Sequence, residues 1–345
     1  MAKKETPKFN YAQELKLLKD KGPERLYMLY GPEDYLRERF LDELKKLCVS
    51  DESDFNYKRL DGPAIDMSEL SEAVDSMPFF AEHTFVEIRS FDVNKCRDAD
   101  CERLKAILSD IPEYCTTAIV IGSDYELDGR LAGVKAVKKY AKSINFTEQD
   151  QSSLIKWISN RFSALGKSIS RSDAEYLTFV SGTLMNRLIP EIEKIAAHAS
   201  SASISKADIE ATAHRIPEAD IFEMTDMLSQ GRIDAAAKLL ADLLSDKANS
   251  PIFILAIFSQ NIRRMYALKL GQSKGKSKEA IMELAGLKYS FIYDKTALCA
   301  RNYSLKAARE LVELCSEYDY LMKSSGEDGG TLLKELLINV AVLGK

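Results

Sequence analysis

Short apolar strands alternate with helical patterns from Leu26 to Phe146, and after Thr147 the strands stop. Leu26-Tyr27-Met28-Leu29-Tyr30, Tyr57-Lys58-Arg59-Leu60, Phe85-Val86-Glu87-Ile88, Thr117-Ala118-Ile119-Val120-Ile121 and Ser143-Ile144-Asn145-Phe146 read as strands. Residues 68–76 and 101–109 read as helices between them. Alternation of this kind predicts a parallel sheet covered by helices on both faces, an α/β class. Beyond Thr147 everything reads as helix. Ser170-Arg171-Ser172-Asp173 and Ser205-Lys206-Ala207-Asp208 are N-cap signals, while Gly166, Gly182 and Pro217 mark helix ends. Longer amphipathic helices are expected over 233–244, 251–270, 305–322 and 332–343, with 271–277 between them as an exposed, mobile polar loop. The chain therefore divides into an α/β domain (1–146), a small helical domain (147–216) and a helical C-terminal domain (217–345).

At 345 residues, 46% hydrophobic and 29% charged, the chain has ordinary globular composition and enough length for two or three cores. Its formal charge of -5 argues against a free-standing nucleic-acid binder that works by bulk electrostatics. The longest apolar run, 252–258, is far shorter than the roughly 20 residues that span a bilayer. Met1-Ala2-Lys3-Lys4-Glu5 has no apolar stretch behind it, so a cytoplasmic location is expected. Cys48, Cys96, Cys101, Cys115, Cys299 and Cys315 are scattered and read as free thiols. No histidine stands near Cys96, Cys101 and Cys115 in sequence, and no metal site is expected.

The first strand leads through Gly31 toward a helix expected over 38–47, which is the setting of a P-loop. A working loop, G-x-x-x-x-G-K-[ST], curls backbone N–H groups around phosphates and adds a lysine and a hydroxyl. Counting from Gly31, this chain offers Leu36, Arg37 and Glu38 at the last three positions. Pro32 removes an N–H, and Glu33 and Asp34 put carboxylates where phosphate charge would sit. Two like charges about 4 Å apart near a protein surface repel by roughly 4 kcal/mol. The segment reads as built without nucleotide, although an ordinary strand-turn-helix accounts for it equally well. An α/β domain followed by a helical lid is the arrangement of AAA+ proteins, whose Mg²⁺-holding acids end an apolar strand. Here the strand from Thr84 ends in Arg89-Ser90, and Asp124 is a lone acid expected to cap a turn.

Asp75-Ser76-Met77-Pro78-Phe79-Phe80-Ala81-Glu82 stands where a helix runs out before a strand. Leu70, Val74 and Met77 share helical spacing and are expected to pack on the sheet, but Pro78 breaks the period. Two adjacent phenylalanines cannot both turn inward easily. Either at least one ring is exposed as an anchor for a partner's apolar pocket, or both belong to the domain's own core.

With these segments in place, the chain resembles the delta subunit family of the bacterial DNA polymerase III clamp loader over nearly its whole length. The carrying residues are 27–36; Met77-Pro78-Phe79-Phe80-Ala81-Glu82; Leu188-Ile189-Pro190-Glu191-Ile192-Glu193-Lys194-Ile195; and Ile221-Phe222-Glu223-Met224-Thr225-Asp226 with Gly231, Ala235 and Leu239-Leu240. Pro251-Ile252-Phe253-Ile254-Leu255, Asn261-Ile262-Arg263-Arg264 and 318–326 complete the order.

The resemblance implies an AAA+-like domain without ATPase activity or cofactor, its P-loop (Gly31, Arg37, Glu38) degenerate. It further implies a subunit that binds and opens the ring-shaped sliding clamp (the beta subunit) for loading onto primed DNA. Phe79 and Phe80, supported by Met77 and Pro78, would enter the clamp's apolar pocket, and the helices from Pro217 would join other loader subunits in a collar. Pro78 and the paired aromatics depart from the family's more usual aliphatic-then-Phe tip. Phe80 is favoured as the deeper anchor, because the alanine after it aligns with a small residue of the family.

Two other readings stand beside this one. A divergent active AAA+ NTPase would use Arg37 as the loop cation. A DNA-binding regulator would use 277–301 as a helix-turn-helix, with Lys274, Lys276, Lys278 and Lys288 near phosphates, although helical pairs joined through glycine are more often packing. Trp157 is expected in the core of the small helical domain, and Arg263-Arg264 on a polar helix face. His83, His198 and His214 show no catalytic or metal spacing.

Overall fold

The computed structural model describes residues 9–50, 55–96, 98–123, 125–287 and 289–343. The expectations for residues 1–5, Asp124 and Lys288 lie outside the described residues. The chain separates into two units, Met1–Glu148 with Leu184–Asn186, and Gln149–Thr183 with Arg187–Lys345.

In the first unit the order is α1 (Tyr11–Lys21), β1 (Leu26–Tyr30), α2 (Asp34–Cys48), β2 (Tyr57–Asp61), α3 (Met67–Asp75), β3 (Thr84–Arg89), α4 (Asp98–Ser109), β4 (Cys115–Val120), α5 (Ala132–Tyr140) and β5 (Lys142–Asn145). The strands form one sheet in the order β2-β3-β4-β1-β5, every pairing parallel. Each strand therefore needs a helical crossover, and strands covered on both faces read as nearly continuous apolar runs. Tyr27, Met28 and Leu29 are fully buried in β1, and all of β4 is buried. The core joins Met28, Leu70, Val74, Val86, Ile88, Leu104, Ile119 and Val137.

The five predicted strands are all present. Helix α2, however, begins at Asp34, four residues before the expected start. An acidic residue in a first turn complements the helix dipole, which is why this acid-rich segment forms helix where its composition reads as loop. Helix α3 ends at Asp75 with Ser76 extended, so Leu70 and Val74 are buried whereas Met77 is 81% exposed. The expectation that Met77 packs on the sheet fails because the helix stops two residues before it.

The second unit comprises α6 (Gln151–Ala164), β6 (Ser168–Ile169), α7 (Arg171–Ser181), α8 (Met185–His198, its first two residues grouping with the first unit), β7 (Ser203–Ile204) and α9 (Lys206–Thr212). It continues through α10 (Pro217–Ser229), α11 (Ile233–Ser245), α12 (Pro251–Ser273), α13 (Lys278–Leu284), α14 (Ser290–Arg301), α15 (Leu305–Ser324) and α16 (Gly329–Leu343). Both expected caps form: the Ser170 side chain accepts the Asp173 N–H, and Ser205 and Asp208 make a reciprocal capping box.

The strands do not stop at Thr147. β6 and β7 pair in parallel, each only two residues long and too short to show a period. The loop expected over 271–277 starts later, since α12 runs to Ser273 with Gly271 buried inside it. A Cβ at Gly271 would lie 2.5 Å from Ile281 Cγ1, so glycine here admits α13 against α12 and does not end the helix.

Candidate functional site

The turn after β1 is occupied by the chain's own groups. Gly31 has φ +117, and a Cβ there would lie 2.5 Å from Asn145 Oδ1 and 2.6 Å from the Phe146 carbonyl oxygen. Only glycine fits so close to β5. Glu33 N–H donates to the Phe146 carbonyl at 3.0 Å, and Asp34 N–H to that of Pro32 at 3.2 Å. Three residues separate β1 from α2; Pro32 has no N–H and that of Glu33 is spent on a protein carbonyl, so the turn lacks the N–H cradle of a phosphate loop.

The side chains complete this closure. Arg37, at the position of a P-loop lysine, is 4% exposed; its Nη1 donates to the Gly31 carbonyl at 2.8 Å and its Nη2 pairs with Asp34. Asp34 also accepts from Ser123 Oγ (3.0 Å) and Asn186 Nδ2 (3.2 Å). Glu33 is fully buried, with both carboxylate oxygens 3.3 Å from the Met185 N–H. Burial pushes its pKa up to about 7, partly opposed by the Met185 hydrogen bond and reinforced by Asp34 and Glu148.

Where β3 ends, Arg89 stands in place of an acid. It makes a two-pronged pair with Glu38 (3.0 and 2.6 Å) and a further pair with Glu87. Glu87 is fully buried and also receives Lys45 Nζ at 3.1 Å and Tyr57 O–H at 2.9 Å. Burial alone would raise the Glu87 pKa, but Arg89 and Lys45 outweigh it and hold the carboxyl below its usual value. Arg37 and Arg89 line a cavity of about 260 Å³ with Ser90, Phe91, Gly122 and Tyr125. Glu38, at the hydroxyl position of a P-loop, is thus an ion-pair partner of Arg89.

The segment between α3 and β3 is the other conspicuous feature. Phe79 is 59% exposed and Phe80 96% exposed, with their ring centroids 4.5 Å apart, edge to face. Pro78 is half-buried. Phe80 has φ +51, a left-handed backbone costing a non-glycine residue roughly 1–2 kcal/mol. Buried Asn56 holds this conformation: its Oδ1 accepts the Phe79 N–H at 2.5 Å, and its Nδ2 donates to the Phe79 carbonyl at 3.0 Å. Lys58 Nζ donates to Ser76 Oγ at 2.8 Å, and Tyr114 O–H to the Asp75 carbonyl at 3.1 Å. The result is an apolar projection on a pinned backbone.

Asn56 was not visible from sequence, since a single asparagine between Phe55 and a strand carries no periodic signal. Phe55, 84% exposed, does carry a sequence signal, an aromatic among polar residues before a strand.

Elsewhere, α13 and α14 pack on α12 through Ile281, Cys299 and Ala300, and Lys278 is tied to Asp294 at 2.8 Å. Lys274 and Lys276 are exposed. Trp157 is half-buried and lies under the Arg161 guanidinium at 5.5 Å, so it is not the core residue expected. Arg263 is exposed as expected, but Arg264 is half-buried, with its Nε unpaired and its pKa lowered by burial. All six cysteines are free thiols. Among the described residues no cluster of His, Cys, Asp or Glu is placed to hold a metal, and no helix is long and apolar enough to cross a membrane.

A five-stranded parallel sheet with β1 between β4 and β5, a short turn from β1 into α2 at the place of a P-loop, and helices after the sheet define an AAA+-like fold. Residues 27–147 match the family model for the DNA polymerase III delta subunit, and residues 218–340 match that for its C-terminal domain. The chain belongs to the delta subunit family of DNA polymerase III, and its role lies with the clamp loader of that polymerase. It is 24% identical to the DNA polymerase III subunit delta of Bacillus subtilis over 323 residues, 91% of this chain and 92% of the relative. It is likewise 24% identical over 322 residues to the probable subunit delta of Aquifex aeolicus, 91% of this chain and 90% of the relative. The solved Bacillus subtilis DNA clamp loader delta protein superposes with a TM-score of 0.51 at 21% identity, covering 96% of this chain and all of that one.

Proposed function

We propose that this chain is the clamp-opening wrench of its loader, docking Met77, Pro78, Phe79 and Phe80 into the apolar pocket of the sliding clamp. The observation that carries the proposal is the pinned aromatic pair at 79–80, exposed over most of its surface. Solvent-exposed aromatics on a fixed backbone keep most of their binding free energy, because little conformational freedom is lost on docking. Phe80 is the deeper anchor and Phe79 lies beside it.

The chain works without nucleotide of its own. The charged groups around the turn are engaged by the chain itself, Glu33 with the Met185 N–H, Arg37 with Gly31 and Asp34, and Arg89 with Glu38 and Glu87, so ATP acts through neighbouring subunits. Residues 1–146 carry the clamp-binding tip, 147–216 form the lid, and 217–345 join other loader subunits in a cytoplasmic assembly that holds primer-template DNA.

Calorimetric titration of the purified chain with its own sliding clamp, in the absence of nucleotide, tests the proposal. Phe79→Ala with Phe80→Ala removes several kcal/mol of binding, a loss of roughly a hundredfold or more, while far-UV circular dichroism stays unchanged. Normal affinity in the folded double variant would remove the assignment.

A further inference from the structure

We infer that Phe55 is a further contact to the sliding clamp, so that the docking surface spans two loops, the turn before β2 and the segment before β3. The inference rests on the proposed clamp docking and extends it to a residue distant in sequence from the 77–80 tip.

Strands β2 and β3 are parallel neighbours, with Tyr57 opposite Phe85, so the segments entering them leave the same end of the sheet side by side. Asn56 ties the two together through both polar atoms of its carboxamide, which bond the Phe79 backbone, while its own carbonyl accepts the Phe85 N–H at 2.8 Å. Phe55 is therefore held at a fixed distance from the tip. Its ring centroid lies 5.8 Å from that of Phe79, edge to face, and Phe79 meets Phe80 at 4.5 Å. Three rings thus form a continuous edge-to-face row, and Met77, two residues before Phe79, is exposed as well.

Phe55 does not serve to shield Phe79, which stays 59% exposed while Phe55 itself is 84% exposed. Rings in edge contact share a rim of solvent-accessible surface. A partner that closes over the free face of Phe79 removes water from the adjoining edge of Phe55 as well, so a clamp pocket that takes Phe79 and Phe80 meets Phe55 at its margin. A peripheral aromatic of this kind contributes less than the central pair and excludes water from it.

The test is titration of the full chain into the clamp for wild type, Phe55→Ala, Phe55→Leu and the Phe79→Ala/Phe80→Ala pair, each checked by circular dichroism. Phe55→Ala weakens binding roughly tenfold, from the apolar area it no longer buries, and Phe55→Leu recovers most of that loss. Wild-type affinity in Phe55→Ala, beside a collapse in the 79/80 pair, overturns the role of Phe55 and leaves the docking tip intact. Failure of wild type to bind overturns both.

Discussion

Replacing Glu33 with glutamine should make the protein more stable at neutral and alkaline pH, although it deletes a charge and keeps the shape. Burial raises the Glu33 pKa from its usual 4.5 to about 7 in the folded chain. Below pH 4.5 the carboxyl is protonated in both folded and unfolded states, and its preference for the native environment contributes in full. As pH rises from 4.5 to about 7 the unfolded chain releases the proton and the native chain retains it. The folded state then binds more protons than the unfolded one, so stability falls with rising pH and the loss is complete above about 7. At about 1.4 kcal/mol for each tenfold change in proton affinity, this amounts to roughly 3 kcal/mol. Glutamine stays neutral, and its Oε1 can still accept the Met185 N–H. The stability difference between Glu33→Gln and wild type should be near zero at pH 4, grow through pH 5–7 and level at roughly 3 kcal/mol in favour of the variant. Urea unfolding followed by circular dichroism from pH 4 to pH 8 measures it, and other carboxylates cancel in the difference. A difference independent of pH, or a variant less stable at pH 8, would refute the reasoning that Glu33 is a desolvated acid.

Glu87→Gln should cost about 3 kcal/mol in the same unfolding assay at pH 7, because Lys45 and part of Arg89 then lose their buried counter-charge. Gly271→Ala should destabilise by about 1–3 kcal/mol through its clash with Ile281, and Ile281→Ala in the same chain should cost less than the sum of the two single changes. Titration of Mg²⁺-ATP into the isolated chain should give no saturable heat; a micromolar isotherm would show that the turn at Gly31 opens to phosphate. Asn56→Ala should weaken clamp binding chiefly through slower association, measurable by stopped flow, since the Phe79 backbone loses both hydrogen bonds to that side chain and the tip must order itself on docking.

Much of the fold was legible because its strands and helices carry their own periods. β1, β3 and β4 lie in the buried middle of a parallel sheet and are mostly apolar, with Glu87 and the threonines Thr84, Thr116 and Thr117 as buried exceptions, while α10, α11 and α15 repeat their apolar residues at helical spacing. The paired aromatics at 79–80 were legible as well, because Pro78 visibly breaks the helical period before them. Elements without a period went unseen, such as the two-residue strands β6 and β7. Others were misplaced: α2 starts within the acidic segment after Pro32, and Met77 is exposed because α3 stops short of it. Trp157 and Arg264 both come to rest half-buried, the first less and the second more enclosed than expected, since large amphipathic side chains settle according to neighbours that a linear pattern does not list.

The sequence by itself determined the class of fold and the loss of the phosphate-loop residues, since both follow from residue type at fixed spacing along the chain. Only the tertiary structure decided what fills the turn and what holds the tip. Arg37 turns back on the Gly31 carbonyl and pairs with Asp34, Glu33 meets Met185 from 152 positions away, and Asn56 grips Phe79 from 23 positions away. Such hydrogen bonds depend on which strands lie side by side and which groups burial leaves in need of a partner, and neither is written in the local order of residues.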